Sequence, residues 1–347
     1  MRIAAALVAV GTTALLAIAL ARRGRRPWLA LGYGLSPAVA VEAANNGHVE
    51  LVATLLVVAA AMTVRRRLLS GVLLGLAVAV KVVPLLLLPA LRTGLRCRLG
   101  TATTVLASYL PHLLVTGWLV LGYLPGYLGE EGFDRGHDRY AVLAVLLPEP
   151  AWAPIALLAG VVLAALAWYR TPRDGAAVTA TWLFGAAMLI GTPSYPWYTL
   201  PLLGLAVLAG RWEWLAVVVS AYGAYAAYDD PGRIRAWYVA AAIVVLAVTA
   251  WRHLGEPGRV RHRRPRHPSQ RPHRAVLTGS ASNPRHRSSG TTPAGAPPRT
   301  SHRPVALATS IAACPRAVIS PAAVSLRARS RFTALHVLRG PRGVNRW

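Results

Sequence analysis

"LLSGVLLGLAVAVKVVPLLLLPALR", residues 68–92, is apolar enough to lie in hydrocarbon, yet it carries one lysine and two prolines. Basic clusters flank it, Arg65–Arg67 on one side and Arg92–Arg98 on the other. A single crossing would set these clusters on opposite faces of a bilayer, against the tendency of Lys and Arg to gather on the cytoplasmic face. Proline removes a helical donor and clashes with the preceding turn, so the helix must break between Lys81 and Pro84. The stretch therefore reads as a broken, re-entrant hairpin that returns both clusters to one side. Lys81, the only lysine in the chain, is then held at depth and faces the other side.

Outward from this hairpin, charge-free apolar runs recur over residues 3–21, 99–129, 150–169 and 175–210. A run of about 18 residues crosses ~30 Å of hydrocarbon as a helix. The first run resembles a signal peptide in charge and length, but further spans follow at once and it reads as retained. The expected fold is all-α, a polytopic transmembrane helical bundle of about 8–10 spans. Tryptophans 28, 118, 152, 168, 212, 214, 237 and 251 stand mostly near ends of apolar runs, as an interfacial aromatic belt requires.

The chain has 347 residues, 55% hydrophobic, with a formal charge of +26. Up to Trp251 there are 19 basic and 11 acidic side chains; beyond it there are 19 Arg and one acid, Glu256. The basicity is mostly a tail. Residues 1–251 form the expected membrane core. Residues 252–347, rich in Arg, Pro, Ser and His without a sustained period, are the expected disordered cytoplasmic tail, drawn to anionic membrane lipid. No motif or interleaved aromatics point to specific nucleic-acid binding. Two cysteines, Cys97 and Cys314, cannot build a disulfide framework or a metal-ligand spacing, so no metal or cofactor is expected.

With the basic clusters at 22–26, 65–67, 92–98, 170–173 and from Arg252 onward in the cytoplasm, the remaining polar loops face outward. They read "EAANNGHVE" (42–50), "GEEGFDRGHDRY" (129–140), "TPSYPWY" (192–198) and "DDPGRIR" (229–235). In the first, Asn-Asn-Gly ends one helix and His48 and Glu50 begin the next. Carboxylates and an imidazole there orient hydroxyls or accept a proton; the plainer reading is a polar loop capping two helices. Lys81 costs roughly 2.5–3.5 kcal/mol inside an apolar stretch. Either a phosphate or carboxylate in a cavity offsets that, or a structural pair with Glu42 or Glu50 does. In the third loop Pro193, Pro196 and Pro201 force an irregular path past Trp197 and Tyr198, which is tolerated at a membrane edge where the chain lines a cavity.

The order "LSPAVAVEAANNGHVELV", "GVLLGLAVAVKVVPLLLLP", "PSYPWYTLPLL" resembles glycosyltransferase family 87, the polyprenol-phosphate-mannose dependent mannosyltransferases of the GT-C superfamily, over roughly residues 5–230. Lys81-Val82-Val83-Pro84 and Pro196-Trp197-Tyr198 match the family pattern fully. Ser36-Pro37 stands for Asn-Pro, and Gly47-His48-Val49-Glu50 for Gly-His-Asn-Asp. The resemblance implies a GT-C bundle in the plasma membrane that moves a hexose, mannose in this family, from a polyprenyl-phosphate donor to a glycolipid or glycan acceptor on the extracytoplasmic face, with inversion. Lys81 would stabilise the leaving phosphate. Glu42, Asn46, His48 and Glu50 would hold phosphate or acceptor hydroxyls, and Tyr195, Trp197 and Tyr198 would flank sugar or prenyl chain. The family's general-base Asp sits in a long outer loop after its first span, and the loops here include none like it. The expectation is a start at an internal methionine, with that span and loop upstream; His48 and Glu50 are the substitute base candidates. The alternatives are a multi-span transporter or an inactive membrane fragment of the same family.

Overall fold

The computed structural model describes residues 1–91, 94–117, 119 and 139–254. Every regular element among them is helical. The principal helices are α1 (Arg2–Arg22), α2 (Glu50–Met62), α3 (Arg67–Val80), α4 (Leu95–Thr116), α5 (Trp152–Asp174), α6 (Ala176–Gly191), α7 (Leu200–Ala209), α8 (Leu215–Ala226) and α9 (Pro231–Leu254). The segments Arg2–Arg22, Glu149–Asp174 and Pro231–Leu254 are long and apolar enough to cross a membrane. α2, α3, α6 and α7 are shorter apolar helices that pack among them.

The stretch 68–92 breaks where its lysine and first proline stand. α3 ends at Val80, Lys81 is extended (φ −158°, ψ 135°), and the chain resumes as helical turns at Val83–Leu87 and Leu88–Leu91. α3 and α4 lie side by side and run the same way. Thr101 Oγ1 donates to Gly71 O at 3.1 Å, and a Cβ on Gly75 would meet Thr101 O at 2.8 Å and Thr104 Cβ at 2.7 Å. Adjacent parallel helices need a return between them. Fourteen residues of α3 rise about 21 Å at 1.5 Å each, and the chain from Lys81 to Gly94 covers that drop. Gly94 comes back beside the start of α3, where a Cβ on it would lie 3.5 Å from Arg67 Nη1. The broken hairpin is thus as expected, and Arg67 and Arg96 share one end of the bundle.

Gly71-Val72-Leu73-Leu74-Gly75 is what lets α3 and α4 touch. In lipid the hydrophobic effect does not drive helices together, so close backbone approach over small residues and interhelical hydrogen bonds carry the association. Cys97 and Thr101 supply the opposing small surface, and Thr101 Oγ1 bonds both Gly71 O and Cys97 O.

Several further basic groups stand at the same end as Arg67. Arg23 Nη1 donates to Leu208 O at 2.9 Å, Arg252 Nη2 pairs with Glu213 Oε2 at 2.9 Å, and Arg98 lies 4.9 Å over the ring of Trp168. Opposite them, α1 starts beside Gly47, α2 starts at Glu50, α3 stops at Lys81 and α7 starts just after Trp197 and Tyr198. The run 175–210 is divided there, between α6 and α7, by Thr192–Tyr195 and a helical turn at Pro196–Thr199.

Not every tryptophan is an anchor. Trp28 and Trp251 are exposed, as a belt requires, but Trp152 and Trp214 are each 7% exposed. Trp152 Nε1 donates to Leu147 O at 2.9 Å, and the Trp214 ring covers Gly185, so these two fill space between helices. Trp118, most of the 129–140 loop and the tail from residue 255 lie outside the described residues.

Candidate functional site

Glu42 is the hub of the end opposite Arg23, Arg67 and Arg98. Over Val41–Asn46 the helix widens into a π turn, a rare form that recurs at functional sites. Gly47 N and His48 N both donate to Glu42 O, at 2.8 and 3.1 Å. Gly47 has φ +67°, a left-handed conformation that a residue without a Cβ adopts at no steric cost. The reversal brings His48 back over the Glu42 side chain.

Glu42 and Glu50 are 1% and 4% exposed, and buried carboxylates persist only with partners. Glu42 has them in full. Tyr222 Oη donates to its Oε1 at 2.9 Å, Asn46 Nδ2 donates to its Oε2 at 2.7 Å, and His48 Nε2 stands 3.4 Å from the same oxygen. Glu50 Oε1 accepts from Lys81 Nζ, whereas its Oε2 has no hydrogen bond and faces His48 Nδ1 at 3.6 Å. Lys81 Nζ also lies 3.5 Å from the centre of the Tyr198 ring, a cation–π contact. Glu42, His48, Glu50 and Lys81 therefore form one continuous chain of polar side chains.

Aromatic rings wall this chain. His48 stacks on Trp197 at 4.2 Å, and Trp197 stacks on Tyr195 at 4.6 Å and 8°. Tyr225 stands edge-on to Trp197 at 6.1 Å and tilted to Tyr195 at 6.3 Å. Tyr195 and Tyr225 are exposed at the rim. Flat apolar ring faces beside buried carboxylates suit a sugar, which has apolar C–H faces and a girdle of hydroxyls. An ammonium at 22% exposure beside them suits an anion.

The corner before Pro196 is held from below. Thr192 (φ +45°) and Tyr140 (φ +57°) both occupy the left-handed region without being glycine, at a cost of about 1–3 kcal/mol each. Buried Arg139 donates to Thr192 O at 2.9 Å, Ala141 N donates to Thr192 Oγ1 at 2.9 Å, and Tyr238 Oη donates to Pro193 O at 3.3 Å. Burial raises the Tyr140 hydroxyl above the ordinary tyrosine range, with Arg139 opposing the shift. Among the described residues no group of three or more His, Cys, Asp or Glu side chains is arranged to hold a metal ion.

All eight binding residues expected from sequence stand at this end in one contact network: Glu42, Asn46, His48, Glu50, Lys81, Tyr195, Trp197 and Tyr198. Sequence reasoning missed Tyr222 and Tyr225. Their i, i+3 spacing puts both on one face of α8, a signal weak by itself in a helix otherwise read as a span.

A sequence model of glycosyltransferase family 87 matches residues 1–193, more than half of the chain. The chain belongs to glycosyltransferase family 87. No curated protein and no solved structure matches it. The part matched to family 87 contains Glu42, His48, Glu50 and Lys81; the aromatic wall of Tyr195, Trp197, Tyr198 and Tyr225 follows it in sequence and closes on it in space. As a family 87 member built of apolar helices, it is a membrane glycosyltransferase, and the polar chain with its aromatic wall is the candidate place for its donor and acceptor.

Proposed function

We propose that the chain transfers a hexose, mannose by its family resemblance, from a polyprenyl-phosphate donor to a hydroxyl of a glycolipid or glycan on the extracytoplasmic face of the plasma membrane. The observation that carries this reading is Lys81. Its ammonium stands at a helix break, over Tyr198 and on the buried Glu50 carboxylate, at the bundle end opposite Arg23, Arg67 and Arg98. Negative charge grows there on the donor phosphate as the bond from the anomeric carbon to its oxygen breaks, and a fixed cation stabilises that charge most in the transition state.

The acceptor oxygen forms the new bond to the anomeric carbon and its proton leaves to a base. Of the residues at the site, His48 and Glu50 are the candidates to receive it, an imidazole and a carboxylate that face each other at 3.6 Å. Trp197 and Tyr195 stack the sugar, and Asn46 with Glu42 orients acceptor hydroxyls. Positive-inside asymmetry supports an outward-facing site and a cytoplasmic tail over 252–347. The test is transfer from radiolabelled polyprenyl-phosphate mannose by the full chain. Transfer surviving unchanged in Lys81→Met would overturn the reading.

A further inference from the structure

We propose that Glu50 is a place-holding anion: it occupies Lys81 until a lipid-borne phosphate displaces it, and His48 then receives it. This rests on the reading of Lys81 as the phosphate-binding cation. The geometry offers the exchange without moving the backbone. One oxygen of Glu50 is on Lys81, and the other is buried, makes no hydrogen bond and already faces His48 Nδ1 at 3.6 Å. A side-chain rotation closes that gap. The receiver is fixed, because His48 is stacked on Trp197 and its other nitrogen is held near Glu42.

Accessibility favours the same order of events. The Lys81 side chain is 22% exposed and the Glu50 side chain 5%, so an incoming anion meets the ammonium before the carboxylate. A phosphate and a carboxylate on one ammonium repel each other in a site walled by aromatic rings, where water screens little. The mobile member is the carboxylate. Moving it to His48 leaves Lys81 to the phosphate and keeps Glu50 paired, so no buried charge is stranded at any stage. When the sugar leaves, the phosphate carries additional negative charge and Lys81 holds it more firmly; return of Glu50 then competes the product off.

The experiment is binding of farnesyl phosphate to the full chain in detergent by titration calorimetry, with farnesol and inorganic phosphate as comparison arms. Glu50→Gln should bind farnesyl phosphate about tenfold tighter, a gain of about 1.4 kcal/mol, and Lys81→Met at least about tenfold weaker. His48→Phe keeps the ring stack but removes the receiver, so it should weaken binding in the native background and change nothing in the Glu50→Gln background. If Glu50→Gln does not fold, Glu50→Asp, with the charge on a shorter arm, should shift affinity in the same direction. Weaker or unchanged binding in the Glu50 variant, with Lys81→Met still losing affinity, would overturn the exchange and leave the phosphate site standing. No effect of Lys81→Met would remove both. Inorganic phosphate or farnesol binding as tightly as farnesyl phosphate would overturn the lipid-borne phosphate as the displacing group.

Discussion

Tyr222 on α8 donates its hydroxyl hydrogen to Glu42 Oε1 across 2.9 Å, tying a helix that lies beyond residue 193 to the π turn that begins the site. The bond joins parts of the chain 180 residues apart. Glu42 is buried and keeps two further partners, Asn46 and His48, so its orientation is set by groups from both sides.

Tyr222→Phe removes one donor and leaves the ring in place. A hydrogen bond to a charged group contributes about 1.5–3 kcal/mol, so transfer should fall roughly tenfold or more in kcat/KM, and the unfolding midpoint in detergent should drop modestly. Asn46→Ala should act in the same direction. Unchanged kinetics in both variants would show that Glu42 has no part in substrate handling.

Trp197 connects the imidazole to the rim. Trp197→Ala removes the rings' shared partner and should cost about 0.5–1.5 kcal/mol for each lost stack, read as a rise in KM for the sugar donor. Trp197→Phe retains a ring face and should recover most of that loss. A KM equal to the native value in the Ala variant would argue that sugar does not lie on this wall.

Much of this was legible in the sequence for simple physical reasons. Long charge-free runs announced helices in a membrane, and Lys81 with Pro84 announced the break, because both features act through local chain chemistry. The pairing of Lys81 with Glu50 rather than Glu42 was open in the sequence, since both carboxylates flank the same glycine turn and only the register of α2 against α3 selects one. Burial of Trp152 and Trp214 was hidden for a similar reason. A tryptophan at a helix end looks the same whether it meets lipid headgroups or, like Trp214, the glycine of a neighbouring helix. Tyr222 and Tyr225 carried only the weak signal of their i, i+3 spacing, because their roles exist across the bundle.

The glycine pair of α3 predicts a sharp contrast. A Cβ on Gly75 would press on Thr101 O at 2.8 Å, whereas a Cβ on Gly11 of α1 meets nothing within 4 Å. Gly75→Leu should therefore lower the unfolding midpoint strongly, by overpacking worth about 1–3 kcal/mol or more, while Gly11→Leu should leave it nearly unchanged. Because α3 leads directly into Lys81, Gly75→Leu should also disturb transfer. Equal midpoints for the two variants would contradict the α3–α4 contact.

The last prediction concerns sidedness. Every helix that leaves the site end arrives at the arginine end: α1 runs from beside Gly47 to Arg22, α2 from Glu50 to Met62 before Arg65–Arg67, and α9 from Pro231 to Arg252. Lys and Arg accumulate on the cytoplasmic side, so Val49 and Ser194, both exposed at the site end, should be extracytoplasmic, and Gly24, at the arginine end, cytoplasmic. Single cysteines at these three positions, in a chain with Cys97 and Cys314 replaced, should sort cleanly with an impermeant thiol reagent on intact cells: positions 49 and 194 labelled, position 24 labelled only after the membrane is opened. Among the described residues Arg2, Arg139, Arg233 and Arg235 stand at the site end and reduce the asymmetry, but these scattered residues face the clusters at 22–26, 65–67 and 170–173. Labelling of position 24 alone from outside would invert the bundle and put the site in the cytoplasm, where a nucleotide-activated sugar would become the natural donor to test.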